Sequence, residues 1–197
     1  MHLIFGLGNP GIRYRRTRHN VGFLVLEKLA ADAGIELKQK SFNALWGKGK
    51  LETKNMLLVE PQTYMNLSGR AVSGLAAFFK ADINKVIIIH DDLDLPFGTI
   101  RLKTGGGTAG HKGLESIAEN LGSSDFMRVR IGIGKPADKA RIDSYVLERF
   151  EPQQENELQS VIQCAADAVA ETVLSGMQKA MVKYHKKNIS NLKKEDK

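Results

Sequence analysis

The sequence has a single cysteine, Cys164, among 197 residues, so no disulfide can form within the chain. A lone thiol fits a reducing compartment, and the cytoplasm is the expected location. Long apolar runs are also missing. No segment approaches the roughly 20 consecutive apolar residues of a membrane-spanning helix, and the start shows no basic flank followed by an apolar stretch. Acid is scarce relative to base. Asp and Glu number 22 against 29 Lys and Arg, which leaves a formal net charge of +7. That surplus suits an anionic partner such as nucleic acid, a phosphate ligand or a membrane surface, and equally a basic protein with no special partner. The distribution says more than the sum. Arg13, Arg15, Arg16 and Arg18 crowd the stretch before His19, while Arg101, Lys103 and Lys112 flank a glycine-rich run. No internal repeat and no linker divides the chain. One domain is expected over residues 1–187, followed by a lysine-rich tail at 188–197.

What is present reads as alternating strands and helices. Residues 3–7 form a short apolar strand that runs into Gly6-Leu7-Gly8-Asn9-Pro10-Gly11. Val21, Leu24, Val25, Leu29 and Ala33 recur at helical spacing, with Gly34 where a helix C-terminal glycine belongs. Strands are expected at 44–52 and 56–60, and a helix at 68–79 with Asn66 or Ser68 as its N-cap. Val86-Ile87-Ile88-Ile89 predicts a buried strand of parallel type, with 99–103 as an adjacent strand. A glycine loop at 105–110 leads to a helix at 112–121 closed by Gly122, then a strand at 127–133. Residues 153–174 form a long amphipathic helix. This alternation predicts an α/β fold with a mixed, mostly parallel central sheet surrounded by helices.

Several chemistries lack their signatures. The first glycine run matches the dinucleotide pattern, but Pro10 interrupts it and no amphipathic helix opens at Gly11. The glycines instead predict a tight turn that presents Asn9 and brings His19 near the first strand. No Gly-x-Ser-x-Gly elbow is present, nor a His-x-x-x-His pair, so neither a serine nucleophile nor a metal or other cofactor is expected. Water remains as the nucleophile. His19, at a helix entrance inside a cationic stretch, is the candidate base. Asp91 follows His90 at the end of a buried strand, where sites in open α/β sheets lie, and is placed either to orient a histidine or to stand as a solvated loop acid. Tyr64, Met65 and Asn66 precede a helix, either as cap and packing or as a polar and aromatic substrate wall.

Four blocks together resemble the bacterial peptidyl-tRNA hydrolase family. They are residues 6–11 with Tyr14 and Thr17-Arg18-His19-Asn20; Pro61-Gln62-Thr63-Tyr64-Met65-Asn66-Leu67-Ser68-Gly69; His90-Asp91-Asp92-Leu93-Asp94-Leu95-Pro96 leading to residues 105–114; and Arg128-Val129-Arg130-Ile131-Gly132-Ile133-Gly134. The resemblance covers residues 3 to about 180. It implies a monomeric enzyme that releases the peptide from tRNA dropped off the ribosome, its partner being peptidyl-tRNA. By the match His19 accepts the proton, Asp91 orients it, and Asn9 helps discriminate peptidyl-tRNA from aminoacyl-tRNA. Tyr14, Tyr64, Met65 and Asn66 would contact the tRNA end or the peptide, and Lys103 and Arg130 would hold phosphates, with the basic clusters adding further contacts. Lys112 stands where the family commonly has asparagine, and a phosphate contact is the expected duty of that lysine. A non-catalytic RNA-binding protein of the same fold is the alternative.

Overall fold

The computed structural model describes residues 1–185, so the tail expected at 188–197 lies outside the described residues. Seven strands form one sheet: β1 (His2–Gly6), β2 (Gln39–Ser41), β3 (Ala44–Leu51), β4 (Lys54–Pro61), β5 (Val86–Asp92), β6 (Ile100–Thr104) and β7 (Met127–Gly132). Their order is β2-β3-β4-β1-β5-β7-β6. The four central strands β4, β1, β5 and β7 run parallel, and the flanking pairings of β2 with β3, β3 with β4, and β6 with β7 are antiparallel. The helices are α1 (Val21–Asp32), α2 (Ser68–Phe78), α3 (Lys112–Leu121), α4 (Ile142–Leu147), α5 (Pro152–Ser175) and α6 (Met177–Tyr184).

Both sheet faces are covered, which is why β5 reads as a continuous apolar run instead of alternating. On one face Ile4, Leu58, Ile87, Ile89 and Val129 pack with α1, α5 and α6. On the other, Leu3, Phe5, Leu57 and Ile88 pack with α2 and α3. Each fully buried aliphatic side chain contributes about 1.5–3 kcal/mol by leaving water. The glycines of the first loop divide between two duties: Gly6 and Gly8 allow close packing, while Gly11, at φ +107°, serves the expected turn. A Cβ on Gly6 would stand 2.4 Å from the Gly22 carbonyl oxygen, and one on Gly22 would stand 2.5 Å from Leu7 N, Leu7 O and Ile89 O. The start of α1 therefore lies directly on the carboxyl ends of β1 and β5, backbone against backbone.

The elements depart from expectation in five places. Strand β6 is not beside β5, because β7 enters between them and β6 becomes the antiparallel edge. A single 3-10 turn, Met65–Leu67, precedes α2, so the cap position falls on Leu67 and neither Asn66 nor Ser68 caps the helix. The wholly exposed three-residue β2 carries no apolar pattern to read, and the six-residue α4 is too short to show one. Helix α6 is set off from α5 by Gly176, with φ +90°.

Candidate active site

Three chain segments meet beyond the carboxyl ends of β1 and β5. A 3-10 turn, Arg18–Asn20, carries His19; the end of β5 carries Asp91; and the residue before α3 is His111. His19 Nδ1 lies 2.9 Å from Asp91 Oδ1, and His111 Nε2 lies 3.0 Å from the same oxygen. The tautomer of His111 is fixed by its other nitrogen. Gly113 N and Leu114 N donate to Nδ1 at 3.1 and 3.3 Å, which caps α3 and requires Nδ1 to be unprotonated. The proton therefore sits on Nε2 and is donated to Asp91. With His19 also donating from Nδ1, its Nε2 keeps a free lone pair.

Asp91 is 2 % exposed, yet its carboxyl is held well below the usual range. Burial alone would raise it, but the two histidines outweigh burial by charge and hydrogen bonding. Burial likewise pulls the His19 pKa down, and the charge and hydrogen bond of Asp91 more than reverse it, so the net shift is upward. His90 is different. Burial pushes it down to about 3, and the neutral ring donates from Nδ1 to the Asp91 carbonyl at 2.7 Å. His90 thus pins the backbone of the residue whose side chain is hydrogen-bonded to His19.

Asn9 is held from both sides. Its N–H donates to Asn20 Oδ1 and its carbonyl accepts from Asn20 Nδ2, each at 2.9 Å, while its Oδ1 accepts from Met65 N at 2.8 Å. Among the described residues its Nδ2 has no partner and is left as a donor. Asn20 and His111 are the members of this arrangement that sequence reasoning did not select. Their signals were faint: Asn20 adjoins the candidate base, and His111 stands at the cap position of a predicted helix.

A cleft of about 390 Å³ opens beside the dyad, lined by His19, His90, Asp91, Lys103, His111, Lys112, Arg128, Arg130 and Lys135 together with Ile142, Asp143 and Val146 of α4, among others. Of the residues singled out from sequence, His19, Asp91, Lys103, Lys112 and Arg130 share this cleft. Asn9 lines a neighbouring groove, and Met65 is buried against the start of α3, where a Cβ on Gly113 would meet its Sδ at 2.5 Å. Tyr14, Tyr64 and Asn66 are not among the residues that line the cleft. Tyr64 is 54 % exposed and Asn66 is exposed, whereas Tyr14 lies under Arg13, 4.6 Å from its guanidinium carbon.

The basic stretch before His19 divides sharply. Arg18 is 2 % exposed, stacks 4.0 Å over the Tyr145 ring, donates to the Tyr145 carbonyl and pairs with Glu148, so it packs α4 instead of facing solvent. Arg16 pairs with Glu155 at 2.8 Å. Arg128, also buried, donates to the carbonyls of Gly106, Gly107 and Ser124 and shapes the glycine loop.

His19, Asp91 and His111 each offer a possible metal ligand atom within 4.8 Å of the others. The chemistry of the set argues against that use. A histidine bound to a metal through one nitrogen carries its proton on the other. His111 Nδ1 faces two N–H donors and has no room for that proton. The cluster fits shared hydrogen bonds through Asp91.

The chain is similar to known proteins in both sequence and architecture. A curated peptidyl-tRNA hydrolase of Geotalea daltonii is 45 % identical over 187 residues, 95 % of this chain and 97 % of that protein. The one from Rhodococcus opacus is 46 % identical over 184 residues, covering 93 % and 97 %. A crystal structure of peptidyl-tRNA hydrolase from Acinetobacter baumannii superposes with a TM-score of 0.91 at 38 % identity, covering 96 % of each chain. The family profile described as peptidyl-tRNA hydrolase matches residues 3–192, and the chain belongs to the peptidyl-tRNA hydrolase family.

Proposed function

We propose that this protein hydrolyses the ester bond between a peptide and the 3′ end of tRNA, freeing both, with His19 as the base that activates water. The observation that carries this reading is the hydrogen bond of 2.9 Å between His19 Nδ1 and the buried Asp91, which leaves Nε2 unengaged at a cleft lined with cations. His19 Nε2 removes a proton from water as the oxygen attacks the ester carbonyl. Asp91 balances the imidazolium charge that results. Collapse of the tetrahedral intermediate breaks the carbonyl bond to the ribose oxygen, and the proton on Nε2 passes to that leaving oxygen. Asn9 Nδ2, left as a donor while Oδ1 accepts from Met65 N, and the exposed Asn66 carboxamide are donors for the developing oxyanion. Tyr14, Tyr64 and Met65 contact the tRNA end or the peptide, and Lys103, Lys112 and Arg130 hold phosphates without reading sequence. The protein works as a monomer in the cytoplasm. A non-catalytic RNA-binding role has no use for a base with a dedicated carboxylate partner and is not favoured.

The test is hydrolysis of an N-blocked aminoacyl-tRNA by purified protein and by His19→Ala. Loss of general-base catalysis lowers turnover by about 10²–10⁴-fold, with circular dichroism unchanged. Near wild-type turnover by the folded variant would overturn the mechanism.

A further inference from the structure

Three of the cations lining the cleft are already paired with acids in the protein alone. Arg130 Nε donates to Asp92 at 2.7 Å, Lys135 pairs with Asp94, and Lys112 Nζ lies 3.7 Å from Asp143 Oδ1. Among the described residues Lys103 is the one lysine lining the cleft with no acidic partner. A phosphate that binds Arg130, Lys135 or Lys112 must therefore compete with one of the protein's own carboxylates. The pair of Lys112 with Asp143 is the loosest of the three, with side chains 63 % and 86 % exposed. It also joins two separate elements, since Lys112 opens α3 and Asp143 lies at the start of α4, and both residues line the cleft.

The placement of Lys112 is electrostatically awkward. A helix N-terminus favours an acid and disfavours a lysine. At position 112 the cation sits on the positive end of α3, so it gains from an anion opposite, and Asp143 supplies one. Both charges act on His19, Lys112 lowering and Asp143 raising its pKa, so the pair lies close to the base. The rest of α4 is tied down independently, by Arg18 against Tyr145 and by the Tyr145 hydroxyl donating to the Ile133 carbonyl at 2.7 Å. Asp143 can thus release Lys112 without detaching the helix.

We propose that Asp143 is an internal stand-in for a substrate phosphate: it holds Lys112 across the cleft until a phosphodiester of the tRNA displaces it. This rests on the reading of Lys112 as a phosphate contact, and it makes Asp143 a positioning residue whose carboxylate competes with substrate. An exposed pair of this kind is weak, so exchange is easy and its effect on affinity is modest.

The experiment compares Asp143→Asn, Asp143→Glu, Lys112→Asn and the double variant Asp143→Asn with Lys112→Asn. Each is assayed on N-blocked aminoacyl-tRNA and on a small N-blocked aminoacyl ester without phosphate, at a pH on the plateau above the acid limb, where His19 is the free base in every variant and its altered pKa does not enter. Removing the competitor should lower KM for the tRNA substrate roughly two- to fivefold, with the change in KM and not in kcat. Asp143→Glu should restore the wild-type KM, and the small ester should show no change in KM. The gain should vanish when Lys112 is also replaced. An unchanged KM in Asp143→Asn, with Lys112→Asn still raising KM, overturns the stand-in and leaves the phosphate contact intact. If Lys112→Asn also leaves KM unchanged, the contact itself fails. A matching KM shift on the small ester would mean that Asp143 acts through structure alone, which also refutes the exchange.

Discussion

Replacing His111 by asparagine separates two duties that the imidazole performs at once. Nδ1 caps α3 by accepting from Gly113 N and Leu114 N, and Nε2 donates to Asp91 Oδ1 at 3.0 Å. Asparagine is a good N-cap but is too short to reach Asp91 as well. His111→Asn should therefore lose only the hydrogen bond to a buried carboxylate, about 1.5–3 kcal/mol. His111→Ala loses that bond and the cap, about 1 kcal/mol more. Urea denaturation of the two variants and the wild type measures both steps. The catalytic consequence has a definite sign. With one donor gone, the Asp91 charge falls more fully on His19, whose pKa is already raised by that carboxylate. The pKa rises further, less of the base is free at a given pH, and the acid limb of kcat/KM moves to higher pH. If the acid limb stays in place in folded His111→Asn, the two histidines do not share Asp91. Equal stabilities for the asparagine and alanine variants would refute the capping role.

Asp91→Asn should move the same limb to lower pH, because the anion that raises the His19 pKa is gone, and should reduce turnover on the order of 10²–10⁴-fold; an unmoved limb in a pH–rate profile would remove Asp91 from the mechanism. Gly22→Ala should destabilise by about 1–3 kcal/mol, since its Cβ would lie 2.5 Å from three backbone atoms. Thermal denaturation checks this, and a wild-type midpoint would mean that α1 can lift from the sheet freely. Hydrolysis of a simple ester substrate should survive exhaustive chelation. Loss of activity that a divalent ion restores would contradict the tautomer assigned to His111.

The sequence showed most where local chemistry decides structure. Ile87, Ile88 and Ile89 announce a strand covered on both faces. Asp91 near its end is a candidate that the sequence leaves open between partner of a histidine and solvated acid, and the hydrogen bond to His19 decides for the first. His111 was less visible because its contact with Asp91 spans 20 residues and depends on how α3 approaches β5. Arg18 shows the limit of reading charge along a chain. Its neighbours Arg15 and Arg16 are exposed, but two successive 3-10 turns carry Arg18 inward against Tyr145, a residue 127 positions away. The place of β6 was missed because a strand's own residues do not state which neighbour it takes. The later β7 pairs in parallel with β5 and claims that edge. The cap of α2 was misjudged because Asn66 has the right chemistry, while the chain enters the helix through a 3-10 turn with Asn66 facing solvent.

The two partners of the proposed catalytic dyad, His19 and Asp91, are held by unequal means. Asp91 lies next to the end of a strand whose seven residues are all buried, paired with β1 on one side and β7 on the other, so it cannot shift without breaking the central ladders of the sheet. His19 rides on a single 3-10 turn whose attachments are a handful of side-chain and backbone bonds through Thr17, Arg18 and Asn20. Positional error between base and carboxylate therefore enters almost wholly from the histidine side. On warming, the alignment of the dyad should loosen at that turn while the sheet is still intact, so that heat costs this protein its catalytic power before it costs the protein its fold.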